Sequence, residues 1–198
     1  MPYNSEKREC VLGTGRKGPR MRCVDISRDM AGFNEVGRLQ ISAFPPEESY
    51  PMDQILELAR RDNVEYKSFW EGEDFCGLML YAAVDTMAYQ FYLAVGEAVR
   101  SRGFGTQLLA WLAGECAGRA VVANIEAVGT GAANEEQRVR RLGFFTRNGY
   151  ALADCRLLDD SGLYDIVTTS PGDFDWEEYL ELIGSLGFDA YHPRLVSR

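Results

Sequence analysis

Arg100-Ser101-Arg102-Gly103-Phe104-Gly105 is the stretch of this chain whose residue types and spacing could do chemistry. It follows an apolar, aromatic run, Ala88 to Val95. It opens an amphipathic run in which Phe104, Leu108, Trp111, Leu112 and Cys116 recur at helical spacing. A helix start presents unpaired amide N–H groups and the positive end of the helix dipole. Glycine lets a bulky anion come close to those amides, and Arg100 and Arg102 add charge that suits a pyrophosphate. The competing use of the same residues is tight helix-on-sheet packing at Gly103 and Gly105 with solvated arginines. The strand before and the helix after favour the anion site.

Other phosphate-binding patterns fit less well. The third glycine of a dinucleotide fingerprint would fall three residues past Gly105, where Leu108 stands. No GxxxxGK[ST] occurs. Gly13-Thr14-Gly15-Arg16-Lys17-Gly18 is a formal GxGxxG, but Pro19 and a strand-like run follow it rather than a helix, so it reads as coincidence.

These residues need a scaffold, and the pattern supplies one. Residues 1–20 read as an irregular, flexible N-terminal segment, and residues 21–198 as the ordered domain. Met21 onward reads as a strand. Two helices follow, from about Asp29 to Phe44 (Phe33, Val36, Ile41 and Phe44 inward, stopped by Pro45-Pro46) and from about Met52 to Arg61. Val64–Glu71, Phe75–Val84 and Ala88–Val95 read as an antiparallel meander. A helix begins at Gly103, Val121–Val128 is a strand, and Asn134–Asn148 is a helix with Val139, Leu142 and Phe145 inward. Tyr150–Leu158 and Leu163–Thr169 form a closing pair of strands. A last helix carries capping-box spacing at Asp175/Glu178 and a hydrophobic staple at Phe174/Tyr179, with Trp176, Tyr179, Leu180 and Ile183 as its buried stripe. The order is β-α-α-β-β-β-α-β-α-β-β-α, an α/β (α+β) fold with one mixed sheet and helices packed on it.

The strand ending Leu93-Ala94-Val95, followed by Arg100-x-x-Gly103-x-Gly105, resembles the acetyl-CoA motif of the GNAT superfamily of N-acetyltransferases. Arg140-Arg141-Leu142-Gly143-Phe144-Phe145-Thr146-Arg147-Asn148-Gly149-Tyr150 is similar to the RR-x-x-F-Y-x-x-N-G-F/Y segment of many bacterial members, and the element order from Met21 to about Leu186 agrees. The resemblance implies a GNAT-like, mostly antiparallel central sheet flanked by helices, and acetyl-CoA or CoA as cofactor. It implies that the backbone of Leu93, Ala94 and Val95 binds the pantetheine arm. The amides of Arg100, Ser101, Arg102, Gly103, Phe104, Gly105 and Thr106 would hold the pyrophosphate. It also implies that Asn124 to Glu126 borders the acceptor amine, and that the loop Pro45 to Tyr50 and the Trp70 region wall the acceptor pocket. Two positions depart from the family. Phe145 stands where a tyrosine often protonates the leaving thiolate, and Arg138 stands where an asparagine often lies seven residues earlier.

Amine acylation needs a neutral amine, yet an alkylamine with a pKa of about 10.4 is mostly protonated at neutral pH. A nearby carboxylate can attract the cation and take its proton, usually through water. Glu126 lies in an apolar strand where a charge is costly unless useful or at an end. It is the candidate catalytic residue, as base or acceptor anchor, against the reading of an edge-exposed glutamate. Glu47 and Glu48 could meet a cationic acceptor or be solvated loop residues. Tyr81 and Tyr92 read as core aromatics, Tyr164 as a strand residue that could line the site, and His192 as a tail residue.

Bulk properties set the outer limits. The chain has 198 residues, 46% of them hydrophobic, and a formal charge of −9. Residues 1–22 hold six basic and two acidic residues, so the rest carries −13. Such a body repels nucleic acid and attracts cations. The acceptor expected is therefore a small, cationic amine attacking the thioester directly; the alternative is a catalytically weak acyl-CoA-binding or regulatory domain. No apolar run approaches the ~18 residues of a membrane span, and the N-terminus lacks a secretory h-region. Five scattered cysteines and one histidine give no metal site and suit a cytoplasmic location. A homodimer is compatible with such a domain.

Overall fold

The computed structural model describes residues 10–12, 21–46, 48–172, 174–187 and 193–198. Glu47, the Gly13–Gly18 motif and His192 lie outside them. Among the described residues there are nine strands: β1 (Cys10–Leu12), β2 (Met21–Asp25), β3 (Val64–Glu71), β4 (Asp74–Ala83), β5 (Met87–Val95), β6 (Ala120–Glu126), β7 (Ala151–Asp159), β8 (Gly162–Thr168) and β9 (Arg194–Ser197). The five α-helices are α1 (Phe33–Ala43), α2 (Met52–Leu58), α3 (Phe104–Glu115), α4 (Glu135–Arg147) and α5 (Trp176–Leu186). The strands are hydrogen-bonded in the order β1-β2-β3-β4-β5-β6-β8-β7-β9. The β5/β6 pair is parallel, and β1/β2, β2/β3, β6/β8, β7/β8 and β7/β9 are antiparallel. This is the expected mixed, mostly antiparallel sheet with helices. Two strands extend the expected order: β1 inside the segment read as irregular, and β9 near the C-terminus.

The chain divides into two compact units, one of Met1–Leu80 with Tyr92–Trp111, the other of Tyr81–Phe91 with Leu112–Arg198. In the first, Met21, Val36, Ile55, Leu58, Phe69 and Leu78 are buried, and the Phe69 and Trp111 rings meet edge to face at 4.9 Å. Helix α1 starts four residues later than expected and turns Ile41 outward, 80% exposed. Five residues of helix place Ile41 away from the Val36 face, and Gln40 is buried there instead. Gln40 is tolerated because it donates to Ser49 Oγ and accepts from the Tyr66 hydroxyl.

In the second unit Val122, Ile125, Leu157, Ile166 and Tyr179 are buried. Asp165 is also fully buried, and it is satisfied by Arg156 Nε at 2.7 Å and the Val128 amide at 3.0 Å. At the start of α5, Asp175 accepts from the Glu177 and Glu178 amides, and Phe174 packs on Tyr179 at 5.4 Å, as the spacing predicts. The reciprocal half of the box is absent: the Glu178 carboxylate accepts from the Thr86 hydroxyl. The stripe behind Tyr179 is Leu182, Ile183 and Leu186, whereas Trp176 and Leu180 are only half-buried.

Candidate active site

The parallel ladder between β5 and β6 runs from Met87↔Ala120 to Gln90↔Ala123. Leu93, Ala94 and Val95 follow its last pair. Gly77 of β4 accounts for the close backbone approach here: a Cβ on it would sit 2.4 Å from the Ala94 carbonyl oxygen. The sequence signal was a glycine inside a strand. Downstream, the Gly96 amide donates to Cys76 O at 2.9 Å, and a 3-10 turn, Glu97–Val99, leads into the glycine-rich loop.

In that loop Ser101 has φ 64° and Gly103 φ 84°. Left-handed backbone at a non-glycine residue is uncommon and is often found at binding sites. Helix α3 makes its first bond from Gln107 N to Gly103 O. The amides of Ser101, Arg102, Gly103, Phe104, Gly105 and Thr106 donate to no acceptor among the described residues. Six consecutive open donors at a helix start, part of them in left-handed backbone, have the arrangement that an anion cradle requires. A Cβ at Gly103 would meet nothing within 4 Å, so the mouth of the cradle is open.

Two expectations change in detail. The Arg100 amide already donates to Glu97 O, so the open run begins at Ser101. The Arg102 guanidinium is held by Glu71 at 2.6 Å and lies 5.1 Å from the centre of the Phe104 ring. The Arg100 side chain has no partner among the described residues and carries the open charge.

Tyr92, read as a core aromatic, is buried but also makes polar contacts. Its hydroxyl donates to Glu48 O at 2.8 Å and accepts from the Tyr50 amide at 3.0 Å, and its ring meets Phe44 at 4.5 Å. The loop between α1 and α2 is thereby tied to β5. Trp70, placed near the acceptor by the resemblance, is buried against Phe75, with its Nε1 donating to Ser68 Oγ. Gln90 is a buried polar residue of β5 that the sequence reading did not single out. Its Oε1 has no hydrogen-bond partner among the described residues. A lone polar residue in the run MAYQFYLAV was the available signal.

Glu126 ends β6 with its side chain 17% exposed, and both carboxylate oxygens are engaged. Oε1 accepts from Asn134 Nδ2 at 2.9 Å and is ion-paired with Arg138 Nη2 at 2.9 Å, and Oε2 accepts from Arg141 Nη1 at 2.8 Å. Arg138 also donates to Asn134 Oδ1, Ala127 O and Thr130 Oγ1. Burial pushes the Glu126 carboxyl pKa up, but Asn134, Arg141 and Arg138 outweigh it and hold it below its ordinary value. The inward face of α4 is thus polar at Arg138, and Val139, expected inward, is 54% exposed. Phe145 is 4% exposed, edge-on to Phe144 at 5.4 Å and Tyr150 at 5.1 Å. Tyr164 pairs with Ser161 at the β7–β8 turn. Burial raises the pKa of the Cys76, Cys116 and Cys155 thiols, Cys76 to about 11, which keeps them protonated and poor nucleophiles.

Residues 33–150 match the model of the acetyltransferase (GNAT) family. No curated protein sequence matches the chain. Among solved structures, a protein described as a GNAT-family acetyltransferase from Bacteroides thetaiotaomicron is 24% identical, covers 82% of this chain and 93% of its own, and superposes with TM-score 0.64. An aminoglycoside 6′-N-acetyltransferase complexed with coenzyme A is 14% identical over 74% of this chain and 94% of its own, TM-score 0.57. Arabidopsis thaliana Naa50, complexed with the bisubstrate analogue CoA-Ac-MVNAL, is 13% identical over 75% and 97%, TM-score 0.55.

Proposed function

The chain belongs to the GNAT family of acetyltransferases, and from that premise we propose that it transfers the acetyl group of acetyl-CoA to the primary amine of a small, cationic acceptor. The observation that carries the cofactor half is the run of six open amides, Ser101 to Thr106, after β5. They fit a pyrophosphate, with Arg100 as the available guanidinium. Leu93, Ala94 and Val95 would hold the pantetheine arm through backbone groups, as donor and acceptor rows past the end of a ladder can. Bound acetyl-CoA supplies a thioester carbonyl that a neutral amine attacks directly.

The acceptor half rests on charge and on two side chains. A net charge of −9 draws cations toward the protein. Tyr92 holds the Glu48–Tyr50 backbone in place. The buried, unpartnered Gln90 Oε1 is suited to accept an amine N–H, because an unpaired buried acceptor costs about 1–3 kcal/mol until it is satisfied. Glu126, the candidate base or acceptor anchor, is already engaged by two guanidinia, and a carboxylate so held has little tendency to take a proton.

A second reading, a weakly catalytic acyl-CoA-binding domain, draws on Phe145, which offers no proton donor. Release of free CoA from acetyl-CoA across a panel of primary amines separates the two. Turnover with di- and polyamines above that with neutral amino sugars supports the proposal; CoA binding without turnover on any amine supports the second reading.

A further inference from the structure

The pairing of Arg102 with Glu71 bears on how strongly the cradle holds its ligand. Arg102 lies between the two left-handed residues Ser101 and Gly103, in the middle of the open amides. Its side chain, 49% exposed, does not stand free. Its Nη2 is 2.6 Å from Glu71 Oε2, and Glu71, the last residue of β3, is only 20% exposed. The guanidinium also rests near Phe104, the first residue of α3. A carboxylate therefore sits beside a site built for a diphosphate. It neutralises one of the two arginines there, and its own charge opposes a second anion.

We propose that Glu71 competes with the CoA pyrophosphate for the Arg102 guanidinium and so weakens the hold on CoA, favouring release of the product. The inference rests on the cofactor site proposed above. A guanidinium has five N–H donors and can bridge two anions, but its single charge is divided when it does. With Glu71 neutral, the full charge of Arg102 is available to the diphosphate.

The test is CoA binding by calorimetry at low and moderate salt for wild type, Glu71→Gln, Arg102→Ala and the double variant, with thermal melts to confirm folding. The side chain of Glu71→Gln has nearly the same shape, so the fold should persist. The expected result is CoA affinity raised about tenfold in Glu71→Gln, most strongly at low salt. The gain should shrink below about twofold in the Arg102→Ala background, since the competition runs through that side chain. Unchanged or weaker binding in Glu71→Gln would overturn the proposal and make the pair an orienting contact. An equal gain with and without Arg102 would overturn it too, leaving only through-space repulsion. Failure of the wild type to bind CoA would overturn the cofactor site itself, and this inference with it.

Discussion

In the loop before α3 the open polar groups are main-chain amides, whereas around Glu126 the polar groups are side chains already engaged with one another. The amide run depends on backbone angles at Ser101 and Gly103 and on helix α3, and its donors have no partner among the described residues. The Glu126 cluster joins β6 to α4, with one carboxylate shared between two guanidinia. A site of the first kind is prepared for an incoming anion. One of the second kind holds structure, and a ligand would first have to break ion pairs that are largely shielded from water.

The largest effect should come from breaking the cradle. Gly103→Val places a β-branched residue at φ 84°, where steric space is open but the backbone conformation costs about 1–2 kcal/mol. The loop is expected to leave that conformation and CoA affinity to fall at least about tenfold by calorimetry, with the melting temperature little changed. Retained affinity would mean that the cradle does not depend on its left-handed residues.

Glu126→Gln should do the reverse, costing stability rather than CoA affinity. The loss expected at pH 7 is about 1–3 kcal/mol in denaturant titrations, because Arg138 and Arg141 lose their counter-charge. The folded pKa of Glu126 is lowered, so its charge stabilises the fold above its unfolded value of about 4.3, and this contribution is lost as pH falls through the folded value. The two stability curves should therefore be separated at neutral pH and converge as pH falls below the lowered folded value. Turnover should fall by less than about tenfold; a loss of about 10²–10⁴ would restore Glu126 as general base.

A smaller effect is expected at Phe145. Phe145→Tyr adds a hydroxyl to an aromatic cluster in which the Tyr150 hydroxyl is already buried without a hydrogen-bond partner among the described residues. A cost of about 1 kcal/mol in stability and a rate change under about tenfold should result. A large gain in turnover would show that position 145 reaches the chemistry and that the natural protein is a weakened catalyst.

The same contrast explains what could be read from the chain. The conformation of the glycine-rich loop was legible because glycine at Gly103 after an apolar strand reports a left-handed backbone turn into a helix. Strand β3 was placed to the residue, and the Phe104–Cys116 stripe is buried as its spacing implied. Periodicity failed where burial and polarity part company. Val139 was preferred inward over Arg138 because the partner carboxylate, Glu126, lies on a different element. Ile41 was preferred over Gln40 because Tyr66 and Ser49 were not visible as partners. The engagement of Glu126, of Glu71 with Arg102, and of Glu178 with Thr86 all depend on residues distant in sequence, which no local spacing reports. Strand β9 gave no signal of its own, being four residues long and paired along β7.

The central claim is most directly tested by following backbone amide resonances while CoA is added to the intact protein. Ser101 to Thr106 should shift together and saturably, most of them downfield as their N–H groups acquire acceptors, while Asn134, Arg138 and Arg141 move little. Saturable CoA binding that leaves the Ser101–Thr106 amides unmoved would contradict the account.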